Sequence, residues 1–213
     1  MNTAQIIDIL EELKKNSMFR LSLSSRELFH SNFWAWLMEK YKHKFTTVFY
    51  PEYDNISEFE VKREKKHYDL SLEFKDKSKI VIIENKFKAT PDKQQLERYF
   101  DNAADKQKKE IRLISYLEPN FNTDYISYSD IYEGLRAVDL SDIDPTDRAI
   151  IQNYTQCLKL LCELKAFVDT DVKTPDEFWT DYNQRELQKK LDGINFGLTL
   201  QIIFLSNNIT VSC

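Results

Sequence analysis

Residues 67–86 read HYDLSLEFKDKSKIVIIENK, and this stretch decides the fold. Two apolar runs flank Asp76-Lys77, a pair that suits a two-residue hairpin turn. In that register the numbers of facing residues sum to 153, so Phe74 pairs with Lys79 and Asp69 with Glu84. Directly opposed side chains on a sheet have Cβ atoms roughly 4.5–5.5 Å apart, and like charges placed there repel. Two carboxylates in that position therefore call for a divalent cation between them. Lys86 emerges on the same face as Glu84, because strand side chains alternate sides. Leu70, Leu72, Phe74, Val81 and Ile83 take the other face. The expectation is a hairpin with an apolar back and a charged working front.

Composition narrows the field around this hairpin. Three glycines in 213 residues, none before Gly134, leave no room for a P-loop or a glycine-rich dinucleotide-binding turn, which excludes ATPases and Rossmann oxidoreductases. No apolar run approaches membrane-spanning length, and MNTAQIIDILEEL lacks signal-peptide character, so a cytoplasmic protein without membrane association is expected. Cys157, Cys162 and Cys213 have neither zinc nor redox spacing. The net charge of −5 is unevenly spread: residues 60–112 hold 15 Lys and Arg against 11 Asp and Glu. A local basic zone on an acidic chain is compatible with phosphate contact. Lys62, Arg63, Lys65 and Lys66, at the entrance to the hairpin, are the first candidates for it.

Helices and further strands extend outward from the hairpin. Residues 3–15 carry a helical apolar stripe. RELFHSNFWAWLMEK predicts a second helix to Lys40, capped at Ser24 or Ser25, on which Glu27 and Ser31 share a face. A loop, then a strand over 57–64, lead into the hairpin. Thr90 as N-cap and Pro91 in the first turn begin a helix that places Gln95 and Tyr99 four apart. Residues 110–117 read as a returning strand, Ser129-Asp130 as the cap of a short helix, and Pro145 as the start of a long one with a core stripe from Ile150 to Leu164. A helix from Thr174 and a final strand close the chain. This order predicts an α/β (α+β) domain with a central mixed β-sheet flanked by helices. One domain over 1–213 is expected, with a helical segment 1–45, a core of about 46–128, a helical part 129–192 and a terminal strand 193–213. His30, His43 and His67 read as surface or locally bonded residues, and Trp34, Trp36 and Trp179 as core.

Asp69, then Glu84-Asn85-Lys86, then Gln95-x-x-x-Tyr99, resembles the PD-(D/E)XK nuclease superfamily, in particular its members with Q-x-x-x-Y on the helix after the E-x-K strand. The RELFHSNFWAWL helix and SYSDIYEGL are similar to a bacterial nuclease-like family within it, and the resemblance covers roughly residues 20–165. The proline of the family name is Tyr68 here. The resemblance implies a restriction-endonuclease-like core and a metal-dependent deoxyribonuclease serving phage defence, restriction or repair. In it Asp69, Glu84 and the backbone carbonyl of Asn85 would hold Mg2+, or Mn2+ in its place, with Glu27 as the helix acid that completes the site. Lys86 would orient the attacking water or the scissile phosphate, and Gln95 and Tyr99 the lysine and the substrate backbone. Ser31, Lys88 and Arg98 join the candidate nucleic-acid contacts. DNA is the expected partner, with a homodimer or a defence-system protein as a further one. The competing reading is a non-catalytic binding module on the same fold, since fold does not fix function.

Overall fold

The computed structural model describes residues 3–22, 26–54, 56–64, 68–76, 79–87, 91–101 and 108–171. The helix expected from Thr174, Trp179 and the terminal strand 193–213 lie outside the described residues, as do Lys65, Lys66, His67, Lys77, Lys88 and Thr90. The chain divides into two compact units, one of residues 25–138 and one of 1–24 with 139–213. None of the described helices is long and apolar enough to cross a membrane.

The first unit is built on a five-stranded mixed sheet, ordered as in the sequence: β1 (Phe59–Arg63), β2 (Leu70–Phe74), β3 (Lys79–Lys86), β4 (Lys108–Ser115) and β5 (Tyr125–Ser127). The hairpin takes the predicted register, pairing Leu70 with Ile83 through to Glu73 with Ile80. β1 joins antiparallel, whereas β4 and β5 run parallel to β3. A parallel neighbour needs a crossover, and α5 (Lys93–Asp101) supplies it on the Glu84 side of the sheet. The opposite face packs on α3 (Arg26–Lys40), and α4 (Lys42–Phe49) and α6 (Tyr128–Ala137) complete that side of the unit. Gly134 lets α6 approach α4, since a Cβ there would come within 3.0 Å of Val48 Cγ1.

The apolar back of the hairpin is as expected, with Leu70, Leu72, Val81 and Ile83 at 0% exposure. The working front differs from the expected charged surface. Ile80, Ile82, Leu96, Tyr99, Leu113 and Tyr68 form a buried cluster there, because the α5 crossover covers that end of the face. The front is thus a second core with charged groups set into it.

Several local features also differ. α4 occupies a segment read as loop. Its Thr46-Thr47-Val48 run has poor helix propensity, which burial of Phe45, Thr46 and Phe49 overrides. Asp92 takes the cap position of α5, accepting from Gln94 N at 2.9 Å. α6 begins two residues earlier than Ser129 suggested. Ser127 and Asp130 form a reciprocal capping box, and the preceding residues pair as β5. His30 is buried at 1% exposure and stacks on Phe87 at 5.0 Å, while His43 meets the Tyr53 hydroxyl at 3.2 Å. Trp34 is core, and Trp36 is only half-buried.

The second unit contains α1 (Thr3–Lys15), α2 (Ser17–Ser22) and α7 (Pro145–Asp171). Asn16 caps α2, unforeseen in the sequence, by accepting from Phe19 N, and its amide donates to the Asn153 carbonyl at 2.9 Å. Ile151 rather than Ile150 heads the buried stripe of α7 with Tyr154, Cys157, Leu158, Leu161 and Leu164.

Candidate active site

Extending the hairpin register by one residue sets Asp69 opposite Glu84 at the open end of β2 and β3, where the two strands stop pairing. The Asp69 carboxylate takes a backbone donor there, with Asn85 N–H donating to Oδ2 at 2.8 Å. Glu84 is 1% exposed, and both its oxygens are engaged. Lys86 Nζ lies 2.7 Å from Oε1, Gln95 Nε2 donates to the same oxygen at 2.7 Å, and the Tyr99 hydroxyl donates to Oε2 at 2.9 Å. Gln95 Nε2 also donates to the Tyr99 hydroxyl at 2.7 Å, as a four-residue helical spacing allows. Tyr68 stands edge-on to Tyr99 at 4.9 Å, so the residue in the namesake proline position packs against the Q-x-x-x-Y helix.

On the far side of β3, Glu27 reaches the end of the strand from the first turn of α3, and its Oε1 accepts from Phe87 N at 3.3 Å. The Asn85 side chain sits at the centre of that side. Its Nδ2 donates to the Glu27 carbonyl at 2.9 Å and to Ser31 Oγ at 3.3 Å, and its Oδ1 accepts from the Tyr128 hydroxyl at 2.7 Å.

Among the described residues the electrostatics show a shortage of positive charge. Burial, and then the neighbouring Glu84 carboxylate, push Asp69 up from 3.8 to about 7, against the lowering effects of Asn85 N–H and Lys86. Burial works against the Lys86 ammonium, but Glu84, Glu27 and Asp69 together hold it above its ordinary value, so it stays protonated. Tyr99 is raised by burial and by Glu84, and its hydroxyl therefore remains a donor. Among the described residues, three carboxylates around one ammonium leave, when all are ionised, a deficit equal to the charge of one divalent cation.

The remaining candidates are scattered. Lys62 lies on the Glu84 face in register with Ser71 and is bonded to Glu60, while Arg63 pairs in register with Leu70 on the opposite face and meets Glu39 at 3.3 Å. Adjacent positions on a strand cannot form one patch, which divides the basic cluster read from residues 62–66. Ser31 is 1% exposed, with its hydroxyl donating to the Glu27 carbonyl at 2.9 Å. It ties α3 to β3 from a buried position, not from the exposed surface expected of a nucleic-acid contact. Arg98 is exposed on α5. Sequence reasoning missed the roles of the Asn85 side chain and of Tyr128. The signal was present, since an amide sharing the buried face of Val81 and Ile83 must find partners. A cleft of 290 Å³ at the β4–β5 edge, lined by Pro51, Arg112 and Tyr125 among others, contains none of these residues. Charge and burial, not cavity size, mark the site.

Among the described residues no three His, Cys, Asp or Glu side chains gather as a ready-made metal cage. A cage is not what Mg2+ requires, since it is commonly held by one or two carboxylates with waters and substrate phosphate completing the shell. The donors present are carboxylate and carbonyl oxygens, and the raised Asp69 marks a pair in need of a cation, so the residues fit a hard divalent ion.

A mixed sheet that sets an aspartate against an E-x-K strand, with a crossover helix bonded to the glutamate, defines a restriction-endonuclease-like core. Residues 44–166 match the PD-(D/E)XK nuclease superfamily, and the chain belongs to it. That superfamily is one of nucleases, which generally use divalent metals and engage nucleic acid. No curated protein and no solved structure matches the chain.

Proposed function

We propose that the protein hydrolyses phosphodiester bonds in DNA with Mg2+, or Mn2+ in its place, in a cytoplasmic setting of defence, restriction or repair. The observation that carries this reading is the Asp69–Glu84 pair with Lys86 as its single ammonium, held in place by Gln95 and Tyr99. Asp69, Glu84 and the Asn85 carbonyl would hold the ion, with Glu27 completing the acidic set. When bound, a divalent cation stabilises charge building on the phosphate and makes a water easier to deprotonate. Lys86, kept charged, donates a hydrogen bond to the attacking water or to a scissile phosphate oxygen. Gln95 and Tyr99 orient Glu84 and, through it, Lys86. Lys62 and Arg98, with Lys65, Lys66 and Lys88, supply contacts to the nucleic-acid backbone.

Purified protein incubated with linear and circular DNA in Mg2+, Mn2+ or EDTA tests the reading. Cleavage should require metal. Asp69→Ala should lose metal binding and cleavage together. Lys86→Ala should bind metal at least as well, yet cleave about 10²–10³-fold more slowly, the usual cost of losing one transition-state group. Wild-type turnover by Lys86→Ala, or no cleavage by the parent in either metal, would return the chain to the binding-module reading.

A further inference from the structure

The middle residue of E-x-K does more here than offer its backbone. Asn85 and Tyr128 are each 1% exposed, and their side chains form a closed chain of hydrogen bonds on the face of β3 away from Glu84 and Lys86. The orientation of the amide is fixed by chemistry. The Glu27 carbonyl can only accept, so Nδ2 must face it, which leaves Oδ1 to the Tyr128 hydroxyl. Ser31 gives its own proton to the Glu27 carbonyl and therefore accepts from Asn85. The backbone N–H of the same residue holds the Asp69 carboxylate at 2.8 Å. Asn85 is thus the joint between the aspartate of β2, its covalent neighbours Glu84 and Lys86, and the turn of α3 that carries Glu27.

We infer that Tyr128 and the Asn85 side chain are positioning residues that set the spacing between the Glu27 turn and the Asp69–Glu84 pair, and through it the affinity for metal. The inference rests on the metal-dependent reading of the same site. Loss of the Tyr128 hydroxyl leaves the buried Oδ1 without its donor, which weakens the hold on the amide and lets β3 shift against α3. The aromatic ring remains, packed at 5.3 Å from Phe87 and 5.2 Å from His30, so the fold is retained. Asn85→Asp keeps the acceptor for Tyr128 but turns an oxygen toward the Glu27 carbonyl, which breaks the tie to α3 by repulsion.

Calorimetric titration of the full chain with Mn2+, alongside melting of the metal-free protein and cleavage rates, decides the matter. Tyr128→Phe should weaken Mn2+ binding about tenfold, the low end of what loss of a group behind a metal ligand costs, and saturating Mn2+ should restore the parent cleavage rate. Asn85→Asp should weaken binding further. If both variants bind Mn2+ like the parent and only melt at lower temperature, the hydrogen-bond chain is purely structural and the inference is overturned. A parent protein that binds no Mn2+ overturns the metal-dependent reading itself, and this inference with it.

Discussion

On one face of β3 the buried Asn85 amide is matched by a carbonyl and two hydroxyls, all neutral. On the other face Glu84, just as buried, shares its surroundings with a second carboxylate and the Lys86 ammonium. One strand therefore serves two equally dry environments with opposite chemistry. The Asn85 amide is complete as it stands and contributes stability, since both its nitrogen and its oxygen have partners. Among the described residues the Glu84 face is short of positive charge, which opposes folding but prepares the site for a cation. Strain of this kind is characteristic of functional sites, where stability and activity trade against each other.

The largest effect separates the two faces by packing. Ile82 and Ile83 are neighbours on β3, point to opposite sides, and are both at 0% exposure. Either one replaced by alanine should cost about 2–5 kcal/mol in urea unfolding, the range for a buried large-to-small change. A charged, open working face would instead make Ile82→Ala a surface substitution worth within about 0.5 kcal/mol, and that result would break the comparison.

A smaller effect concerns pH. Asp69 is pushed up from 3.8 to about 7 in the folded chain, so the fold favours its protonated form. Its favourable contribution to the stability of the metal-free protein is complete below pH 3.8 and is lost as pH rises toward about 7. A cation must displace that proton below the folded value. Mg2+ affinity should therefore rise about tenfold per pH unit up to roughly pH 7 and then level off, as titrations at fixed ionic strength would show. An affinity flat between pH 5 and pH 8 would remove Asp69 from the metal site.

The residues show how much of this was legible beforehand. Alternation of side chains and a two-residue turn fix strand pairing locally, so the register of 153 followed from the sequence, and with it the Asp69–Glu84 opposition. The helical spacing likewise put Gln95 and Tyr99 on one face, but the expected partners were the lysine and the substrate backbone, and only the structure shows that they bond the two oxygens of Glu84. What depended on tertiary partners was not legible. α4 forms from poor helix formers because Phe45 and Phe49 are buried, and Ser31 disappears beneath the carbonyl of Glu27. Arg63 was grouped with Lys62 by proximity in the chain, yet strand alternation sends it to the other face. The Asn85–Tyr128 bond joins residues 43 apart, a separation at which no local pattern could pair them.

The central claim is that Asp69 and Glu84 form a pair built to share a cation, and Asp69→Asn tests it most directly. The amide oxygen can still accept from Asn85 N–H, so the substitution removes charge and little else. Thermal melts of parent and variant at pH 8, with and without Mg2+, give four numbers. Without metal the variant should melt above the parent, by roughly 2–4 °C for each kcal/mol of repulsion relieved. Mg2+ at about 100 times its dissociation constant should stabilise the parent by about 2.7 kcal/mol and leave the variant nearly unchanged. A variant that melts below the metal-free parent, together with a parent indifferent to Mg2+, would contradict the claim and leave the pair as buried structural acids.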